Sequence, residues 1–390
     1  MIKACLLSSQ YLGAGGFISH YLAYRARANL PCGAQAHNNQ AMTDPVLRVA
    51  LDTHPLSVTR AGVARYVRGL QTGFLHLDQK IQITPITWPV ENFSYVQPGR
   101  ALKTIWRELV WAPYIAPALL RSMNVQVVHH TAGPLLPFIS PLRQVVTLHD
   151  LALIRCPRRF RPWQRTAGLH RLRRLTQADW VICVSKFTAD EAMNLLGLPA
   201  AKIAVVHHGI TLAAEENLPV GLPAEFYLFV GSLEPGKNLS FLKSLWMNAG
   251  VCLPPLVIVG DRWAGVGDEG VVPANWIYLG HQSDEVLLAL YRRAQALLFP
   301  SLYEGFGFPV VEAMAAGCPV ICAPRASLPE IATGAVNLVE LESSLWLTAM
   351  RGLEADRENW QQRGLARARE FSWVKCARET QQIYRAAAGE

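Results

Sequence analysis

The stretch Phe299–Glu330, FPSLYEGFGFPVVEAMAAGCPVICAPRASLPE, constrains the fold more than any other part of the chain. It reads as strand, glycine loop, helix and second strand. Ala296–Pro300 closes an apolar strand, and Ser301–Phe308 is the loop, with Gly305 and Gly307 flanking Phe306. Pro309 suits the first turn of a helix, where its missing N–H costs nothing. Gly317 stands where a left-handed helix end wants glycine, and Pro319 follows to stop continuation. Pro319–Ala323 is a second buried strand, and Ser327 with Glu330 has the spacing of a capping box for the next helix.

The loop has chemistry as well as geometry. Its glycines let backbone approach a ligand, and the following helix offers unpaired N–H groups and a positive dipole end. That combination favours an anion such as a diphosphate. Glu304 lies in the loop and Glu312 about one turn into the helix, so both can face one ligand. Carboxylates do not favour a phosphate directly, so these two suit hydroxyl donors. A ligand that is both phosphorylated and rich in hydroxyls is a nucleotide sugar. The plainer alternative, a helix-capping Glu304 and a solvated Glu312, stays open on the loop alone.

At 390 residues the chain suits two domains, and 51% hydrophobic with 17% charged residues is a globular composition. No apolar run approaches the roughly 20 residues of a membrane-spanning helix. The eight cysteines include no CxxC pair, so buried reduced thiols in a cytosolic protein, without a metal site, are expected. Charge is uneven: residues 1–210 carry 23 Lys+Arg against 9 Asp+Glu, and residues 211–390 carry 14 against 20. A basic first half implies an anionic partner there.

Residues 1–41 match nothing that follows. Lys3 with ACLL and AQA at 34–36 imitate a signal peptide, but Ser8, Ser9, Gln10 and His20 interrupt the apolar region. They read as a poorly ordered extension, or as an upstream start with Met42 the natural initiator. Val46–Leu56 is a first strand running into a loop that continues over Ser57–Gly62, and Ala64–Phe74 has helical periodicity. Gly62 thus stands at a strand-to-helix turn. Asn124–His130 and Gln144–His149 are further strands, the latter ending in His149–Asp150 at the edge where open α/β sheets bind ligands. A histidine satisfied by backbone is the competing reading. Ala178–Ser185 is a buried strand, Lys186–Leu196 a helix, and Ile203–Val206 a strand ending at His207–His208–Gly209. Residues 210–223 read as a linker. Phe226–Val230 opens the second half, followed by GSLEPGKNL, where Lys237 beside glycines at a helix start suits phosphate. Trp276–Gly280 is a short strand, and Ser283–Asp284–Glu285 opens a helix over Val286–Ala294. Leu338–Met350 and Arg357–Phe371 are further helical material.

Arg155–Arg174 holds eight arginines in twenty residues. Part of it, RTAGLHRLRRL, can form a helix with arginines on its outer face. Either that face is solvated, or Arg158, Arg159, Arg161 and Arg165 meet anionic lipid headgroups or a lipid-linked diphosphate, at about 1 kcal/mol per basic residue near a membrane surface. Nucleic acid is disfavoured, since no binding motif accompanies the arginines.

Glu304–Ile321, EGFGFPVVEAMAAGCPVI, closely resembles the signature of the retaining family-4 glycosyltransferases, of GT-B fold. Both glutamates, the glycines, the proline and the small helix residues are in place. VVTLHDLALIRCP, Val145–Pro157, resembles the family segment whose histidine contacts the donor sugar, which carries over to His149; Asp150 then orients the loop. Gly62 looks like the glycine that approaches the donor phosphates or the acceptor. In Gly231–Leu239 the family usually adds an arginine after the first glycine or just before the lysine. This chain has Ser232 and Gly236 there, with Arg262 after LVIVGD as a substitute. His208 stands where many members have asparagine.

The resemblance covers residues 46–388 and implies an α/β protein of two Rossmann-like doubly wound domains facing across a cleft. These would be an acceptor-side domain over 46–209, the linker 210–223, a nucleotide-sugar domain over 224–371, and a helix over 372–388 returning to the first. By the same resemblance Lys237 and the helix start at Pro309 stabilise the departing diphosphate. Glu304 with the backbone of Gly305, Phe306, Gly307 and Phe308 holds sugar hydroxyls, Glu312 the ribose, and backbone from Ser283 to Leu287 the base. The implied reaction is sugar transfer with retention, needing no metal or cofactor, with GDP-mannose the first donor and UDP-sugars next. The acceptor would be a glycan or lipid-linked glycan of cell-surface polysaccharide synthesis, at the cytoplasmic membrane face. A nucleotide-sugar epimerase of the same fold and a non-catalytic nucleotide-sugar binder are the rivals. An oxidoreductase is disfavoured, because no GxGxxG follows a first strand.

Overall fold

Runs such as YLFV and LVIV are apolar at every position, which suits parallel strands covered on both faces. The computed structural model bears this out: Val127–His130, Tyr227–Val230 and Leu256–Val259 are buried throughout. The structure describes residues 46–58, 62–77, 81–87, 110, 114–132, 142–213, 218–249, 253–262 and 270–390. The expectations for residues 1–41 lie outside them.

Val46–Glu390 is one compact unit containing two six-stranded sheets. The first comprises β1 (Leu47–Asp52), β2 (Ile81–Ile86), β3 (Val127–His130), β4 (Arg143–Leu148), β5 (Trp180–Cys183) and β6 (Ile203–Val205), in the order β2-β1-β3-β4-β5-β6. The second comprises β7 (Tyr227–Val230), β8 (Leu256–Val259), β9 (Trp276–Gly280), β10 (Leu297–Phe299), β11 (Val320–Cys322) and β12 (Asn337–Leu338), in the order β12-β11-β10-β7-β8-β9. All pairings are parallel. In each sheet the order reverses once, between β1 and β3 and between β7 and β10. Crossovers leave in opposite directions at such a point and open a crevice beyond the carboxyl ends of the strands. Gly231 and Ser232 follow β7, and Ser301 to Glu304 follow β10, so the Lys237 loop and the glycine loop flank the second crevice.

The last helix, Trp373–Ala388, packs on the first sheet. Trp373, Cys376, Ala377, Ile383 and Tyr384 share a core with Leu47, Val49, Tyr66, Val67 and Val127. Gly69 and Gly73, one turn apart on the helix Gly62–Phe74, let the two helices approach. A Cβ on Gly73 would lie 2.2 Å from Trp373 O. Beneath them Tyr384 Oη meets His129 Nδ1 at 2.6 Å and Thr147 Oγ1 meets His129 Nε2 at 2.7 Å, satisfying a fully buried imidazole.

Three local expectations fail. Leu338 ends β12, and the helix read over Leu338–Met350 begins only at Ser343. Pro55–Val58 forms a helical turn inside the stretch read as loop. Ser327 caps nothing with its side chain: it has helical φ and ψ (−76° and −13°), and its hydroxyl has no hydrogen-bond partner. Glu330 accepts instead from the backbone N–H groups of Lys186 and Phe187, at 2.8 and 3.0 Å, and from His207 Nε2 at 2.8 Å. Burial works to raise its pKa, but these donors outweigh burial and hold it below the usual carboxylate range. Glu330 therefore caps the helix Lys186–Leu196 of the other half, where orphan N–H groups and a positive dipole end reward a carboxylate more than one turn of its own helix does.

Candidate active site

The helix Phe308–Ala315 begins after Gly307, whose φ of +93° is the left-handed turn that glycine permits. Pro309 occupies its first turn, and Gly317, at φ +73°, ends it as read. The loop before it is docked on the first half at several points. Gly305 O accepts from Ser185 Oγ at 2.7 Å. Tyr303 Oη accepts from Leu151 N at 3.0 Å and donates to the buried Glu191, which also takes Arg155 Nε at 2.5 Å. Burial, and then the Glu191 carboxylate, push the Tyr303 phenol well above its ordinary pKa, so it remains a donor. Gly305 passes so close to the His149 carbonyl that a Cβ there would lie 1.8 Å from the oxygen.

Between the two crevices lies a cavity of about 440 Å³, within the range of small-ligand sites. The first half lines it with Gly62, Arg65, His149, Asp150, Arg159 and His208. The second contributes Ser232, Lys237, His281, Gln282, Leu287, the run Glu304–Pro309, and Glu312. The sequence-predicted Glu304, Glu312, Lys237, His149 and Gly62 are thus brought together. Gly236 does not line the cavity: its N–H donates to Glu234 Oε2 at 2.7 Å, which shapes the Lys237 turn from behind. Arg262 bridges to Leu233 and does not line it either. Gly62 packs on Phe308, where a Cβ would come within 3.1 Å of the ring.

The charges are arranged in pairs, some across the cleft and one between the two loops of the second half. Lys237 Nζ is ion-paired with Glu304 Oε1, which also accepts from Ser301 Oγ at 2.6 Å. Glu312 takes Tyr291 Oη at 3.1 Å on one oxygen and Arg65 on the other. Arg65, on the helix Gly62–Phe74, also pairs with Asp284. Burial opposes its charge, but Glu312 and then Asp284 outweigh burial and raise its pKa. His149 Nε2 donates to Thr131 O at 2.7 Å. Burial lowers the His149 pKa, so the neutral ring carries its proton on Nε2 and presents Nδ1 as an acceptor. His208 stacks on Phe308 at 5.0 Å between centroids, and its buried Nδ1 has no hydrogen-bond partner.

The arginine-rich segment divides. Arg161 and Arg165 are exposed on or beside the helix Pro162–Arg173, as expected, and nothing is described of the Arg158 side chain. Arg159 departs from the outer-face reading: it turns into the cavity and pairs with Glu234 at 3.3 Å, because a buried carboxylate requires a cation. Arg65 and Tyr291 have no place in the sequence reading of the site, which puts Arg159 at the acceptor or membrane face and not in this cavity. Spacing alone does not reveal which face of a helix meets the opposite sheet. Among the described residues no group of three or more His, Cys, Asp or Glu is placed to hold a metal, and no helix is long and apolar enough to cross a membrane. The described cysteines are free thiols; burial pushes Cys183, Cys318, Cys322 and Cys376 up to about 12.

The buried histidines set a pH limit. Burial lowers His129 to about 3 and His130 to about 4, and holds His208 well below its usual value. Unfolding returns them to about 6.5, so the unfolded chain binds more protons below that pH. Stability is complete above about pH 6.5 and falls towards pH 4, by up to about 1.4 kcal/mol per histidine per pH unit. The urea midpoint is expected to drop between pH 7 and pH 5; an unchanged midpoint would mean that these rings charge without leaving the core.

Two facing Rossmann-like halves with a shared crevice define the GT-B class of fold. Sucrose-phosphate synthase from Thermosynechococcus elongatus superimposes with a TM-score of 0.66 at 19% identity, covering 87% of this chain and 98% of that one. WaaG, a glycosyltransferase involved in lipopolysaccharide biosynthesis, does so at 0.58 and 14%, covering 88% and 100%. In sequence, residues 60–214 match the family described as Glycosyltransferase Family 4 and residues 215–347 that described as Glycosyl transferases group 1. O-antigen chain mannosyltransferase B of Escherichia coli is 32% identical over 275 residues, covering 62% of this chain and 70% of that protein. O-antigen chain mannosyltransferase RfbU of Salmonella typhimurium is 28% identical over 265 residues, covering 64% and 71%. The chain belongs to the group 1, family-4 glycosyltransferases.

Proposed function

We propose that this glycosyltransferase moves mannose or a related hexose from a nucleoside-diphosphate sugar, GDP-mannose before UDP-sugars, to a glycan or lipid-linked glycan with retention of anomeric configuration. The observation that carries the reading is the cavity in which Lys237, Glu304 and Glu312 of one half face His149 of the other. The mannosyltransferase relatives in O-antigen chain synthesis support the choice of sugar and of acceptor class. HepE of Anabaena, at TM-score 0.62 and 17% identity, is described in complex with UDP and glucose, which supports a nucleotide-sugar donor.

In this reading Lys237 meets the diphosphate, and the helix start at Phe308 adds its positive end where charge develops on the leaving group. Glu304, held by Lys237 and Ser301, accepts from a sugar hydroxyl; Glu312 accepts from the ribose as Arg65 yields one oxygen. His149 Nδ1 accepts from a second sugar hydroxyl. Each cavity carboxylate has a partner already: Glu304 and Glu312 hold the ion pairs above, and Asp150 Oδ1 accepts from Ala152 N at 2.9 Å. That favours acceptor attack on the face the diphosphate leaves, with a phosphate oxygen taking the acceptor proton, over a covalent sugar–enzyme step. The reaction is taken to need no metal. The exposed Arg161 and Arg165 suit peripheral contact with an anionic membrane face. Purified protein is to be incubated with a panel of sugar nucleotides, with and without acceptor glycan, in EDTA. Acceptor-dependent transfer is expected, with GDP-mannose the best donor. Free or epimerised sugar without acceptor would make it an epimerase or hydrolase, and no turnover with any donor a binder.

A further inference from the structure

The loop Gly231–Leu239 brings one cation, Lys237, to the cavity. Among the described residues three cations line it, Arg65, Arg159 and Lys237. Arg65 and Lys237 are each committed to a carboxylate that lines the same cavity, Glu312 and Glu304. Arg159 differs. Its partner Glu234, at 3.3 Å, has a side chain only 1% exposed and lies behind the cavity wall. The same carboxylate accepts from Gly236 N, so one buried group shapes the Lys237 turn and docks Arg159 against it.

We propose that Arg159, brought across the cleft by the first half, is the second cationic ligand of the donor diphosphate. This rests on the nucleotide-sugar reading above. A guanidinium presents five N–H donors in a planar fork, more than one carboxylate can accept. Its geometry matches paired phosphate oxygens. Glu234 fixes the side chain beforehand, which lowers the ordering cost when the diphosphate arrives. Because Lys237 and Arg159 come from opposite halves, the diphosphate bridges the cleft, and a ligand with one phosphate fewer loses part of the bridge.

The test is calorimetric binding of GDP, UDP, ADP and dTDP, each with its monophosphate, to the full chain and to the Arg159→Gln and Arg159→Lys variants. The wild type is expected to prefer the diphosphate of its own base by about tenfold or more. Arg159→Gln weakens that diphosphate by about 10–100-fold and leaves the monophosphate within about twofold. Arg159→Lys, with the charge but not the fork, gives an intermediate ratio. Equal losses for both ligands would mean that Arg159 only supports the loop and would overturn the proposal. So would an unchanged ratio in both variants, or in Arg159→Lys should Arg159→Gln not fold. A wild type that binds none of these nucleotides would instead sink the nucleotide-sugar reading itself.

Discussion

Lys237→Ala is expected to lower kcat/KM for sugar transfer by about 10²–10³-fold, the loss typical of removing one group that stabilises developing charge. The lysine side chain is 13% exposed and its partner Glu304 12%, so the pair works in a site largely shielded from water. In the proposed reading, removing the cation costs twice: the diphosphate loses a ligand, and Glu304 is left as an uncompensated negative charge facing it. Glu304→Gln keeps Lys237 and an acceptor oxygen and removes the carboxylate charge, so a smaller loss is expected, about 10²-fold or less. Because the two side chains touch, the double variant should lose less than the product of the single losses. Initial rates over donor concentration give all three values. Near-wild-type rates in both single variants would remove Lys237 and Glu304 from the reaction.

Gly305→Ala should cost about as much without touching a charge. A Cβ there would lie 1.8 Å from His149 O and 3.2 Å from the Asp150 Cβ, while Ser185 Oγ holds the Gly305 carbonyl at 2.7 Å. The methyl group has no space to occupy, so the loop and the first half must separate by an ångström or more. Displacement on that scale moves Glu304 relative to His149, and misplacements of about 1 Å cost about 10²-fold in rate. Overpacking should also reduce stability by about 1–3 kcal/mol. Transfer rates with a thermal melt check both, and full activity in Gly305→Ala would show that the enzyme reacts from a more open arrangement.

The fold was largely readable because its determinants are local. Uninterrupted apolar runs marked parallel strands, Gly317 marked a helix end, and GSLEPGKNL marked a turn beside a sheet edge. The glycine loop with Glu304 and Glu312 was readable for the same reason: one short segment holds both carboxylates. What escaped were contacts between segments far apart in the chain. Glu330 is spaced to cap its own helix, yet it caps Lys186–Leu196, because a longer helix of the other half offers it backbone donors. Arg159 sits in a run that looks like a solvated face, but buried Glu234 draws it inward. Arg65 lies on an amphipathic helix whose sequence does not say that Glu312 is opposite. Opposite charges at a cleft choose partners by three-dimensional register, which neither spacing nor composition records.

Attack on the same face as the departing diphosphate is most directly tested by the stereochemistry of the product. Purified protein is given its preferred α-linked sugar nucleotide and acceptor, and the anomeric configuration of the first product is read by NMR before any re-equilibration. The arrangement of Lys237, Glu304 and His149 predicts an α-linked product. A β-linked product would contradict it, requiring attack from the opposite face and a general base that the cavity carboxylates, already engaged, do not supply.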